Sequence, residues 1–217
     1  MVSFFEAGRT AMTLRTALLF VGIVVCFQPK WLFADPEPLI DAKKYDFSLL
    51  LDIRYATKNN FTHEVVYPEA RCVLRKSVAQ ALSKVQSALK MQGFKLKIFD
   101  CYRPLTVQKK FWELVPDERY VANPQKGSRH NRGAAVDLTL VQLDGKEVEM
   151  PSSYDDFSPK AHRNYSDVSK LAKKHRELLE KAMMAEGFAG LDTEWWHFDF
   201  QGWEKYPIED VPFSAVP

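Results

Sequence analysis

Two stretches far apart in the chain constrain its fold more than anything else: Ser128-Arg-His-Asn-Arg-Gly-Ala-Ala-Val-Asp137 and Glu194-Trp-Trp-His197. Ala134 to Leu140 reads as a strand, and so does Trp195 to Phe200, where the aromatic run favours strand over helix. Side chains alternate faces along a strand. Asp137 therefore shares a face with Thr139, and His197 shares one with Trp195 and Asp199. If the two strands are neighbours, Asp137 and His197 converge on one point. His130 lies on a loop bracketed by Gly127 and Gly133, and it closes the third corner. Glu194 is an odd number of steps from His197, so a regular strand would point it away. It must sit at the strand entry, where the backbone turns.

Two imidazoles and one carboxylate form a three-ligand zinc set whose fourth position stays open for water, as in catalytic rather than structural sites. Glu194 is then the spare carboxylate, placed to take a proton from that water, as in a zinc hydrolase. The geometry differs from the helical His-Glu-x-x-His motif, where i, i+4 spacing aligns the ligands. His63, His162 and His175 lack partners at ligand spacing, and His175 falls on a charged helix face.

The rest of the composition is that of a globular enzyme. With 217 residues, 46% of them hydrophobic, one core is expected. The formal net charge is +2, and basic and acidic residues are interspersed, which leaves no stripe for nucleic acid. Residues 1–34 read as a secretory signal peptide or, uncleaved, as an N-terminal anchor. Arg9 and Arg15 precede the short apolar run Ala17–Phe27, and Ala34 stands before Asp35-Pro36. Residues 35–217 form the remaining domain. It carries Cys72 and Cys101, an even number that permits one disulfide in an oxidising compartment.

The expected elements are few. Pro36 to Asp46 reads as an exposed lead-in. Val78, Ala81, Leu82, Val85, Ala88 and Leu89 recur at helical spacing between Ser77 and Gln92, and Gly93 stops that helix. Phe94 to Phe99 alternates as a strand with one buried face, and Asp100-Cys-Tyr-Arg-Pro104 turns out of it. A second helix follows Pro104 with Val107, Phe111 and Leu114 inward. Asp144-Gly145 signals a hairpin. A long helix spans Ser166 to Glu186, with Leu171, Leu178, Leu179 and Met183 inward and Gly187 as its cap. The fold class is α+β: a single domain with a mostly antiparallel sheet and helices packed on one side.

These residues carry a resemblance. Ser-x-His-x-x-Gly-x-Ala-x-Asp with Glu-x-x-His resembles the signature of zinc peptidases that include D-Ala-D-Ala carboxypeptidases, lysostaphin-type enzymes and the hedgehog domain. The chain is more narrowly similar to the VanX-type D-alanyl-D-alanine dipeptidases. That similarity runs from Asp52-Ile-Arg-Tyr-Ala-Thr-Lys-Asn-Asn-Phe61 through Phe99-Asp-Cys-Tyr-Arg-Pro104 to the two opening stretches. It implies His130, Asp137 and His197 as ligands of one Zn2+ per chain and Glu194 as general base. It also implies Arg103 as the partner of the tetrahedral oxyanion, and Ser128 and Asp155 as contacts to a small D-dipeptide, Asp155 near its amino end. Cys101 departs from the pattern, where a small residue is expected.

The activity implied is hydrolysis of D-Ala-D-Ala. Its rivals are a D,D-carboxypeptidase acting on larger wall peptides and a zinc-bearing module that binds the wall without turnover. A binding module has no need of Glu194 or Arg103. An exported enzyme acts in the periplasm or envelope, on dipeptide released in wall turnover, and meets the membrane only through residues 1–34. The oligomeric state is left open.

Overall fold

The computed structural model describes residues 1–3 and 37–217. The signal or anchor reading falls on residues outside that description. Residues 35–217 form one unit. Its elements are β1 (Leu39–Asp41), β2 (Leu50–Leu51), β3 (Val73–Arg75), α1 (Lys76–Lys90), β4 (Phe94–Asp100), α2 (Leu105–Leu114), β5 (Ala135–Gln142), α3 (Lys170–Ala185), β6 (Phe188–Leu191) and β7 (Glu194–Phe200).

Five strands form one sheet in the order β2-β4-β5-β7-β6. Only the short β2–β4 pairing is parallel; the others are antiparallel. The helices α1 and α3 pack against each other, α1 also on β4 and α3 on β5 and β6. The apolar periodicity of α1 is met: Val78, Leu82, Val85 and Leu89 are fully buried. No side chain of its own caps its N-terminus; the Glu37 carboxylate instead accepts from the Ser77 N–H at 2.9 Å.

Several details depart from the sequence reading. Residues 36–46 are not a plain lead-in, because Leu39–Asp41 pairs with Val73–Arg75 and Ala42 is buried. β4 is buried on both faces at its C-terminal end: Lys97 is carried inward by Glu147 and Asp52. Leu114 and Leu171 are exposed, since each lies at an end of its helix, beyond the core. The long helix starts at Lys170, where the Ser169 hydroxyl accepts from the Ala172 N–H. His175 on that helix is buried rather than on a charged face, its Nδ1 on the Glu149 carbonyl and its ring against Phe94. Asp144-Gly145 does turn the chain, yet only one bridge follows, Val141 to Glu147.

The small β1–β3 sheet holds up one side of the site. Arg75, almost wholly buried, donates to the carbonyls of Arg132 and Glu37 and pairs with Glu209 at 2.8 Å. Its own N–H donates to the Gly133 carbonyl. Gly133 has φ +66°, and a Cβ there would stand 2.4 Å from Leu39, so only glycine closes this turn. Cys72, beside β3, is joined to Cys101 at the end of β4, with Cα atoms 5.1 Å apart and a sequence separation of 29.

Opening this disulfide should lower the unfolding free energy by ~3–4 kcal/mol, the chain-entropy value for a loop of this length. Urea titration of wild type with and without reductant, beside Cys72→Ala/Cys101→Ala, checks it. Equal stability under all three conditions would contradict the linkage.

Candidate active site

Asp137 and His197 are direct cross-strand partners of β5 and β7. Opposed residues of an antiparallel pair project to the same face, and here His197 Nδ1 lies 3.0 Å from Asp137 Oδ1. His130 sits on a single 3-10 turn, His130–Arg132, rather than in an open loop. Its Nε2 is 3.2 Å from His197 Nδ1 and 3.4 Å from Asp137 Oδ1. Donors ~2.0–2.1 Å from a tetrahedral ion stand ~3.3–3.4 Å from one another, so the triangle has the dimensions of a zinc site. All three side chains are buried.

Each donor is oriented from behind. His130 Nδ1 lies 2.6 Å from the Cys101 carbonyl, which only accepts, so Nδ1 carries the proton and Nε2 offers its lone pair. His197 Nε2 lies 2.8 Å from Asp199 Oδ1, which leaves Nδ1 toward the cluster. The Tyr154 hydroxyl donates to Asp137 Oδ2 at 3.0 Å, so Oδ1 faces the imidazoles.

The electrostatics favour a cation at this point. Burial alone would lower the His197 imidazole, but Asp199 and Asp137 push it up to about 10. Burial alone would raise Asp137, yet His130 and His197 hold it well below the usual carboxylate range.

Around the cluster lies a cavity of about 290 Å³, near the lower end of ligand pockets at ~300–1,000 Å³. Arg103, Ser128, His130, Asp137, Asp155, Glu194 and His197 all line it. Glu194 opens β7, with Oε2 3.9 Å from His197 Nδ1. Burial pushes its carboxyl up to about 7, against the pull of His197. Asp155 has φ +59° and accepts from the Tyr55 hydroxyl at 3.2 Å. Burial, then Asp137 and Glu194, push it up to about 8. The Ser128 hydroxyl accepts from the His130 N–H at 3.2 Å, which braces the turn as it lines the cavity.

Arg103 leaves the end of β4 as the sequence suggests. Its guanidinium donates to Asp100 at 2.7 Å and to Gln108 at 2.9 Å, and it lies over the Phe111 ring at 4.7 Å. From the sequence alone Asp100 is only part of a turn. It is fully buried and also accepts from the Tyr67 hydroxyl and the Cys101 N–H. Tyr154 and Tyr55 were likewise not singled out, because nothing in their spacing links them to Asp137 or Asp155. Asp199 could have been found, since it shares the His197 face.

Asp100→Asn removes the anion that holds Arg103. Leaving a buried guanidinium without its charge partner should destabilise by ~3–5 kcal/mol. Denaturant unfolding checks this, and an effect under about 1 kcal/mol, the scale of an exposed ion pair, would show that Arg103 finds another partner.

Comparison with known proteins follows the same residues. The family described as D-ala-D-ala dipeptidase matches residues 38–213. The D-alanyl-D-alanine dipeptidase of Escherichia coli (strain K12) is 35% identical over 182 residues, covering 84% of this chain and 94% of that protein. Those of Enterococcus faecalis (strain ATCC 700802 / V583) and Enterococcus faecium are 32% and 33% identical over 185 residues, each covering 76% of this chain and 91% of the relative. The cavity, its buried donor triangle and this similarity along nearly the whole unit together show that the chain belongs to the D-ala-D-ala dipeptidase family of peptidases.

Proposed function

We propose that this enzyme is a zinc-dependent dipeptidase that adds water across the peptide bond of free D-Ala-D-Ala and releases two D-alanines. The observation that carries it is the triangle of His130 Nε2, Asp137 Oδ1 and His197 Nδ1, with Glu194 and Arg103 on the same cavity wall. Those three atoms would hold one zinc. When bound, zinc supplies Lewis acidity that lowers the pKa of water to ~7 and polarises a carbonyl.

The chain's own groups do the rest. Glu194, pushed up to about 7 by burial, takes a proton from the attacking water and returns it to the leaving amine. As the carbonyl oxygen gains negative charge, the Arg103 guanidinium stands preorganised to face it, fixed by Asp100 and Gln108 before substrate arrives. Asp155 sits where it can meet the ammonium of the dipeptide, whose positive charge would draw its carboxyl back to the ionised form. Ser128 contacts the dipeptide beside His130. The small cavity favours a free dipeptide over a wall peptide.

We place the reaction outside the cytoplasm, in turnover of wall-derived dipeptide. Support comes from the basic flank and apolar run of residues 1–34 and from the Cys72–Cys101 disulfide, a bond that persists in oxidising compartments. Among the described residues no helix is long and apolar enough to cross a membrane.

The test is release of D-alanine by zinc-loaded protein from D-Ala-D-Ala and, separately, from a wall pentapeptide. The dipeptide alone should be turned over, and Glu194→Gln should lower kcat by ~10²–10⁴-fold, the range for loss of a general base. Trimming of the pentapeptide with the dipeptide spared would make the chain a D,D-carboxypeptidase. Turnover of neither would leave a wall-binding module.

A further inference from the structure

Glu194 and His197 are three residues apart on β7, so regular alternation would set them on opposite faces. Both nevertheless line the same cavity, as does Trp196. The cause is a break in the β6–β7 ladder. Ala189 pairs with Asp199 and Gly190 with Phe198, but the next pair joins Leu191 to Glu194. One step along β6 is thus matched by four along β7, and Trp195, Trp196 and His197 bulge out of register with β6.

A bulge of this size needs something to hold its two ends. Arg163 reaches both. Its Nε donates to the Leu191 carbonyl at 2.9 Å and its Nη2 to the His197 carbonyl at 2.6 Å. Its backbone N–H donates to the Asp192 carbonyl at 2.9 Å. The guanidinium lies over the Phe198 ring at 4.3 Å, with the side chain only 9% exposed. Room for it exists because residue 190 is glycine: a Cβ there would stand 2.2 Å from Arg163 Cζ. A planar guanidinium with several donors in a fixed fork is preorganised to bridge two carbonyls in this way.

We infer that Arg163 is a positioning residue, a wedge between β6 and β7 that holds the bulge and so keeps the Glu194 carboxylate in the cavity beside His197. The inference rests on the reading of Glu194 as the base. Arg163 stands off the cavity wall and acts through the backbone of β7.

The experiment measures kcat and KM for D-Ala-D-Ala, with zinc content, for the zinc-loaded full chain and for Arg163→Ala, Gly190→Ala and Glu194→Gln. Arg163→Ala should lower kcat about a hundredfold, the scale of an ~1 Å misplacement of a reacting group, with KM and zinc content unchanged. Added guanidinium ion at low concentration should restore much of that kcat, whereas a merely destabilised fold would lose more. Gly190→Ala expels the guanidinium without deleting it and should show the same fall in kcat, with no rescue. Wild-type kcat in either variant, or a loss in Arg163→Ala that guanidinium does not repair, would overturn the inference. An active Glu194→Gln would instead sink the base itself. An inactive Glu194→Gln beside active Arg163→Ala and Gly190→Ala would sink the wedge alone.

Discussion

The pairing of Asp137 with His197 across β5 and β7 is the constraint on which the rest of the structure depends. It buries a carboxylate and an imidazole at the centre of a sheet, where unpaired polar groups are costly. Each remaining valence is then met by a neighbouring group, one from β7 itself and the others from outside the strand pair. Asp199 takes the far nitrogen of His197, Tyr154 takes the second oxygen of Asp137, and the 3-10 turn brings His130. Two acids around two imidazoles leave the cluster short of positive charge, and a divalent cation is the natural complement.

The end of β4 couples this cluster to the rest of the cavity. Within four residues the chain places Asp100, which holds Arg103; Cys101, whose carbonyl orients His130 and whose sulfur ties the strand to Cys72; and Arg103 itself. The disulfide therefore anchors the backbone from which both the Arg103 guanidinium and the His130 imidazole are held. Rigid support of this kind keeps groups in place before substrate binds.

The facing residues of the central strands were legible because strand parity is a strong rule: Asp137 and His197 converge if their strands are neighbours, and β5 and β7 do pair. The helix α1 was legible from its apolar spacing. The role of Asp100 was not, since a buried carboxylate in a turn looks like any turn aspartate until its partners are known. Nor was the β7 bulge, which depends on Arg163 from a distant loop and on the absence of a side chain at Gly190. The contrary signal was visible all the same: the odd spacing of Glu194 and His197 demanded a backbone irregularity at the strand entry. The inward turn of His175 escaped detection because Phe94 and the Glu149 carbonyl, which receive it, lie far away in sequence.

The most direct test of the central claim is X-ray absorption at the zinc edge on the zinc-loaded protein, with His197→Ala alongside. One zinc per chain is expected, with two imidazole nitrogens and a carboxylate oxygen at ~2.0–2.2 Å and an imidazole lost in the variant. A shell containing sulfur, or a spectrum unchanged in His197→Ala, would place the metal elsewhere and contradict it.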